Sequence, residues 1–156
     1  MTEGRTPPDA DLATRLAHLP VDRDTASHYR AYLRRELVLA RCADCARWHH
    51  PMRPMCPACW SWNVAPTAVT GRGTVHLVTL LHQGPPADGV DYARSPHPVV
   101  TVELTEQPGL RFTSTIVGCA LDEVRIGMPV ELTWIERNGS PYPAFRPAAS
   151  PPTGAA

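Results

Sequence analysis

Cys42 and Cys45 form one C-x-x-C pair, ten residues follow, and Cys56 and Cys59 form a second. Each pair sets two thiolates on one tight turn, and two such turns facing each other build a tetrahedral S₄ site. Soft thiolates in that geometry select Zn²⁺, with iron as the competitor. All four positions are filled by protein, which leaves no coordination position for a substrate, so the expected metal is structural. Turns of this kind often carry Gly after the second Cys, where positive φ is convenient; here Ala46 and Trp60 stand there. His49 and His50 lie between the pairs. They are surplus to four thiolates, and surface or hydrogen-bonding roles are expected for them. Trp48, Trp60 and Trp62 crowd the same stretch. A module this small cannot fully bury three indoles, so some must face a barrel, a helix or a partner.

The remaining chemistry-bearing residues form no constellation. Cys119 follows Gly118 at a strand end with no base signature around it, and is expected to be an inert, small apolar side chain. His76, His82 and His97 lie in or beside strands without metal-ligand spacing, and Glu103 and Glu106 are expected on a wet sheet face. No G-x-x-x-x-G-K, G-x-G-x-x-G or G-x-S-x-G occurs, and Gly71-Arg72-Gly73 marks a strand entry.

The elements that must position the cysteines are read as follows. Residues 1–23 form a flexible, extended arm with Pro7, Pro8 and Pro20. Residues 24–36 form a helix, because Ala26, Tyr29, Leu33 and Leu37 recur every three or four residues; Asp24 is its N-cap and Tyr32 widens its apolar face. The metal ribbon covers 37–66 and a barrel covers 67–148. The barrel strands are Thr74 to Gln83, Pro98 to Thr105, Leu110 to Val117, Val130 to Arg137 and a short one around Tyr142 to Phe145. Asn138-Gly139 signals a type I′ hairpin between the last two. The first strand is apolar on both faces, which expects something to cover its outer side. Five antiparallel strands with a break after the third match an OB-type barrel. The fold class is mainly β: an N-terminal helix, a rubredoxin-like four-cysteine ribbon and a five-stranded OB-type barrel. The long loop from Gly84 to Pro96 is expected to be a plain surface loop; in such barrels the loop between the first two strands often lines the ligand side, and Tyr92 and Arg94 are its large polar-capable side chains for that alternative. Residues 149–156 form a disordered Pro/Ala/Gly tail.

Charge disfavours one class of function. Lys+Arg and Asp+Glu are both 15, and every basic residue is Arg. Phosphate contacts supply most nucleic-acid affinity, and no basic stripe is present to make them. A nucleic-acid-binding ribbon and barrel is therefore the rival reading, and charge disfavours it. No apolar run spans a bilayer and the polar N-terminus is no signal peptide, so a cytoplasmic protein is expected.

The order of parts resembles the zinc-ribbon plus OB-fold family that began as a domain of unknown function. The likeness rests on Arg35-Glu36-Leu37-Val38-Leu39-Ala40-Arg41-Cys42, on the run from His50 through Pro54 to Cys59, and on Gly71-Arg72-Gly73-Thr74-Val75. Ile126-Gly127-Met128-Pro129-Val130-Glu131 and Pro143-Ala144-Phe145-Arg146-Pro147 extend it. Arg35 departs from the family's pattern, in which Gly is common there. The resemblance implies an accessory subunit of a thiolase-like acyl-CoA enzyme (thiolase, aldolase or C-acyltransferase) that shapes or bridges the acyl-CoA site, with no catalysis by this chain alone. Tyr29, Tyr32, Leu33, Trp60 and Trp62 are the expected partner anchors, since buried aromatics dominate interface energies.

Overall fold

The computed structural model describes residues 9–87 and 89–149, with side chains from residue 12 onward. Leu12 and Leu16, four apart, share one face of a helix α1 (Asp9–Arg15) and its exit, and both are buried. The Ser140 hydroxyl donates to the Arg15 carbonyl at 2.9 Å and ties this helix to the barrel. The flexible-arm expectation for 1–23 is thereby corrected over the described residues: two leucines with a place to bury outweigh the flanking prolines. Residues 1–8 and the tail from 150 lie outside the described residues.

The helix expected over 24–36 is shorter. Helix α2 spans Ala26–Tyr32. Its N-cap is Thr25, not Asp24, and the turn before it is closed by Asp22, whose carboxylate accepts from both the N–H and the hydroxyl of Thr25 at 2.8 Å. It stops because Arg35 takes φ +57, a conformation no α-helix contains.

Strands β1 (Val38–Cys42), β2 (Trp48–His49) and β3 (Val64–Ala68) form the ribbon sheet in the order β2-β1-β3. β3 runs two residues past the expected ribbon limit at 66. Strands β4 (Arg72–Leu81), β5 (His97–Leu104), β6 (Arg111–Ile116), β7 (Pro129–Arg137) and β8 (Ser140–Pro147) close a barrel in the order β4-β5-β6-β8-β7. The last strand is longer than the short segment expected. Closure comes from the parallel pair β6–β8 and from β4 against β7 over Arg72–Thr74. Gly71 and Gly73 permit it: a Cβ on Gly73 would lie 2.3 Å from the Glu103 carbonyl, and one on Gly71 2.4 Å from Leu132 Cβ. Asn138 and Gly139 take φ +51 and +71, the two left-handed residues of a type I′ turn, as the dipeptide demands.

Val75, Val100, Val102, Phe112, Val130 and Phe145 form the barrel core, and Tyr32, Leu37 and Leu39 belong to the same buried cluster. The ribbon is therefore welded to the barrel at its base. The side-chain amide of Gln107 adds a second weld, accepting from Trp48 N–H at 2.9 Å and donating to Trp48 C=O at 3.1 Å. β4 pairs with β7 only up to Thr74, so its distal half has one strand neighbour. Leu77 is 50% exposed there and Leu80 42%. The cover expected for this strand's outer side is not supplied by the described residues.

Candidate metal centre and docking surface

β1 delivers Cys42 to the first turn, and the turn-rich segment between β2 and β3 delivers Cys56 to the second. The Sγ atoms of Cys42 and Cys59 lie 3.6 Å apart, those of Cys45 and Cys56 3.7 Å, and all four within 4.8 Å of one another. These separations exclude disulfides, whose S–S bond is about 2.05 Å. Thiolates at about 2.3 Å from a tetrahedral metal sit about 3.8 Å apart, so the cluster has the size of a metal site. Cys42 and Cys56 are buried at its back and Cys45 and Cys59 are exposed. Backbone N–H groups of Cys45 and Asp44 aim at Cys42 and lower its thiol; those of Cys59 and Ala58 draw Cys56 down to about 7. Such donors stabilise the thiolate form a metal requires. At Cys59 the Ser61 N–H pulls the same way, but Cys45 and the other thiols, with burial, hold it up at about 12. Four thiols without a cation cannot all ionise together, and a divalent ion removes that conflict.

Ala46 and Trp60 take φ +60 and +64. The turns keep the shape that Gly would adopt, at a cost of roughly 1–2 kcal/mol per residue. Asp44, unremarked in the sequence reading, bridges the two turns. Its carboxylate accepts from the Ser61 hydroxyl and, at 3.0 Å, from the Asn63 side-chain amide. Those bonds hold its carboxyl below the usual range. Trp60 and Trp62, on either side of Ser61, are each 73% exposed.

Segment 30–64 matches the family model of the ChsH2 rubredoxin-like zinc ribbon domain, and 66–134 matches that of the ChsH2 C-terminal OB-fold domain. A DUF35 domain-containing scaffold protein of Methanothermobacter thermautotrophicus is 32% identical over 102 residues, 65% of this chain and 73% of that one. The chain belongs to the DUF35 family. A probable enoyl-CoA hydratase alpha subunit of Thermomonospora curvata is 39% identical over 130 residues, 82% of this chain. This DUF35 chain spans only 39% of that relative's length. A solved Ltp2-ChsH2(DUF35) aldolase contains a chain 37% identical, with a TM-score of 0.73, covering 84% of this chain and 99% of that one. No helix among the described residues is long and apolar enough to cross a membrane.

The other sequence-derived anchors of this DUF35 chain divide by burial. Tyr32 is 4% exposed and its hydroxyl donates to His28 Nε2 at 2.9 Å, while His28 Nδ1 donates to the Val38 carbonyl at 2.7 Å. Tyr32 is thus part of the chain's own core, which removes it as a free anchor. Its partner His28 was missed, although the i, i+4 spacing of the pair on one helix face was legible. Tyr29 and Leu33 are half-buried. In the long loop, Tyr92 lies against Gly84, where an added Cβ would come within 2.4 Å of its hydroxyl, and Arg94 is exposed. The structure does not bring this pair near the cysteines. His49 and His50 lie outside the thiolate cluster, with the exposed His50 ring tilted 5.2 Å from Phe112 and 5.5 Å from His28. Burial raises the Cys119 thiol, as does Glu123, which fits an inert residue.

Proposed function

We propose that this chain is a non-catalytic accessory subunit of a thiolase-like acyl-CoA enzyme, and that Cys42, Cys45, Cys56 and Cys59 hold one structural Zn²⁺. The reading is carried by one conjunction. A chain aligned over nearly all of the ChsH2 chain of an aldolase presents two exposed indoles on a thiolate-cornered ribbon. Zinc there supplies shape and no Lewis-acid position, since four thiolates close the site. Trp60 and Trp62, and separately the half-buried Tyr29 and Leu33 on and just past helix α2, are the partner anchors. Leu77, on the outer face of β4, offers a second apolar contact. The Tyr92–Arg94 loop takes the acyl-CoA side of the shared interface. The partner supplies the nucleophile; the chemistry is condensation, cleavage or acyl transfer on a CoA thioester.

Affinity purification from the native host, followed by reconstitution, tests the reading. The expected result is a co-eluting thiolase-like subunit whose acyl-CoA turnover rises on adding this chain. Turnover of acyl-CoA by the purified chain alone overturns it, as does sub-micromolar binding to single-stranded nucleic acid with no enzyme partner. Elemental analysis should return one zinc per chain; iron in its place would correct the metal.

A further inference from the structure

The segment from Cys56 to Asn63 carries more internal bracing than a metal turn requires. The turn itself is closed by Trp60 N–H to the Cys56 carbonyl at 3.0 Å and Cys56 N–H to the Ser61 carbonyl at 2.8 Å. A second set of bonds reaches across from the first turn. Ala43 N–H donates to the Asn63 carbonyl at 2.8 Å, and the Asp44 carboxylate takes the Ser61 hydroxyl and the Asn63 amide. The Ser61 oxygen in turn accepts from Asn63 N–H at 2.9 Å. None of these side chains belongs to the four-cysteine cluster. What they hold in place is the pair that flanks Ser61: Trp60, in the left-handed conformation its turn shares with Ala46 of the other turn, and Trp62, both 73% exposed.

Strain at an exposed aromatic persists only where surrounding bonds over-determine it, and such sites cluster at ligand and partner clamps. A free indole loses rotational freedom on docking; one whose backbone is already fixed loses less, which tightens binding without a new contact. We infer that Asp44 is a positioning residue for partner recognition, its carboxylate locking the two turns so that Trp60 and Trp62 stand as a preformed pair for an apolar cleft on the acyl-CoA enzyme subunit. The inference rests on the accessory-subunit reading above. The occupant is that subunit and not a second copy, because a chain 37% identical to this one is found in a solved Ltp2-ChsH2(DUF35) aldolase.

The test uses the full chain and the thiolase-like subunit it co-purifies with. Trp60→Ala/Trp62→Ala should weaken the complex about 100-fold by biolayer interferometry. Asp44→Ala should weaken it about tenfold while keeping one metal per chain, and should lower the heteronuclear NOE of the Trp60 and Trp62 indole N–H signals. Asp44→Asn keeps an oxygen for the Asn63 amide and should stay within threefold. Asp44→Ala in the double-tryptophan background should add nothing. Asn63→Ala, which removes one arm, should give a smaller loss and serves if Asp44→Ala does not fold. Full affinity without the two indoles overturns the anchor reading itself. A hundredfold loss there, with Asp44→Ala and Asn63→Ala within twofold of the parent, overturns the clamp alone. Loss of metal in Asp44→Ala makes the residue a structural brace and overturns the inference too. A dimer of this chain that dissociates without the two indoles puts a second copy on the pair, with the same consequence.

Discussion

Between residues 43 and 62 the ribbon buries only His49, Met52 and Cys56, whereas β5 and β6 alone bury Val100, Val102, Leu104, Phe112, Ser114, Thr115 and Ile116. The barrel is held by removal of apolar surface from water, worth roughly 25 cal/mol per Å². The ribbon tip has no comparable surface to remove. Its shape depends on the cysteine cluster, where the proposed structural zinc ion would contribute roughly 10–16 kcal/mol of binding free energy at neutral pH. The difference explains where the aromatics lie. A barrel that exposed two indoles would lose core, while a metal-cornered turn keeps them on the surface at little cost to stability.

Metal removal is the largest perturbation that separates the two regions. Cys56→Ser, at a fully buried ligand, should abolish metal binding. Amides from 43 to 62 should then exchange at unfolded rates while those of β5 and β6 stay protected, measured by hydrogen–deuterium exchange with NMR. Protection of Leu37 and Leu39 should survive, because both sit in the barrel cluster. An unchanged ribbon with all four cysteines replaced by serine would break the comparison.

Phe145→Ala probes the other side. Phe145 is fully buried at the centre of the cluster, and such truncations cost roughly 3–5 kcal/mol. Tyr32, Leu37 and Leu39 share that cluster, so helix α2, β1 and barrel should melt in one transition at a lower denaturant midpoint, with the metal still bound before it. Two resolved transitions would show that the weld is weaker than the shared core implies.

How much of this was legible follows from what each region depends on. C-x-x-C spacing, Asn138-Gly139 and the alternation of Val130, Leu132 and Trp134 are local signals, and the ribbon site, the hairpin and the barrel strands could be read from them. Helix α1 was not, because Leu12 and Leu16 signal a helix only once the barrel offers a place to bury them. The fate of Tyr32 depended on His28 and Val38 meeting across ten residues. Gln107 and Asp44 act by hydrogen bonds to distant backbone and side chains, which no periodicity encodes. The uncovered face of β4 was legible as a pattern, but its cover belongs to no described part of this chain.

Acid should act at the junction of the two regions. His28, 3% exposed, is lowered by burial, partly offset by its bond to Val38; His50 beside it is solvent-exposed and is held down to about 4 by desolvation first, then by His28 and His49, with solvent screening reducing its weight. Both groups bind a proton more readily in the unfolded chain, near 6.5, than in the folded one. Stability should therefore be complete above about 6.5 and should fall as pH drops toward 4. His50→Gln should flatten the slope of denaturant midpoint against pH across that window. A parallel slope in parent and variant would place the acid sensitivity elsewhere, most simply at the thiolates, which also protonate.

The smallest effect is the most informative about the ribbon's geometry. Ala46 is exposed and left-handed, the position where Gly is at ease. Ala46→Gly relieves roughly 1–2 kcal/mol of backbone strain. The added freedom of Gly in the unfolded chain returns roughly 0.5–1 kcal/mol of that. The net should be a stabilisation of up to about 1.5 kcal/mol in the metal-loaded chain, read as a higher denaturant midpoint and slower metal release to a chelator. The same change at a barrel position with negative φ should destabilise, since only the entropy term then acts. If Ala46→Gly also destabilises, the turn is not strained when metal is bound. The ion would then fix the left-handed residue as firmly as the core fixes Phe145, and the two regions would differ in their means of support but not in how tightly the backbone is held.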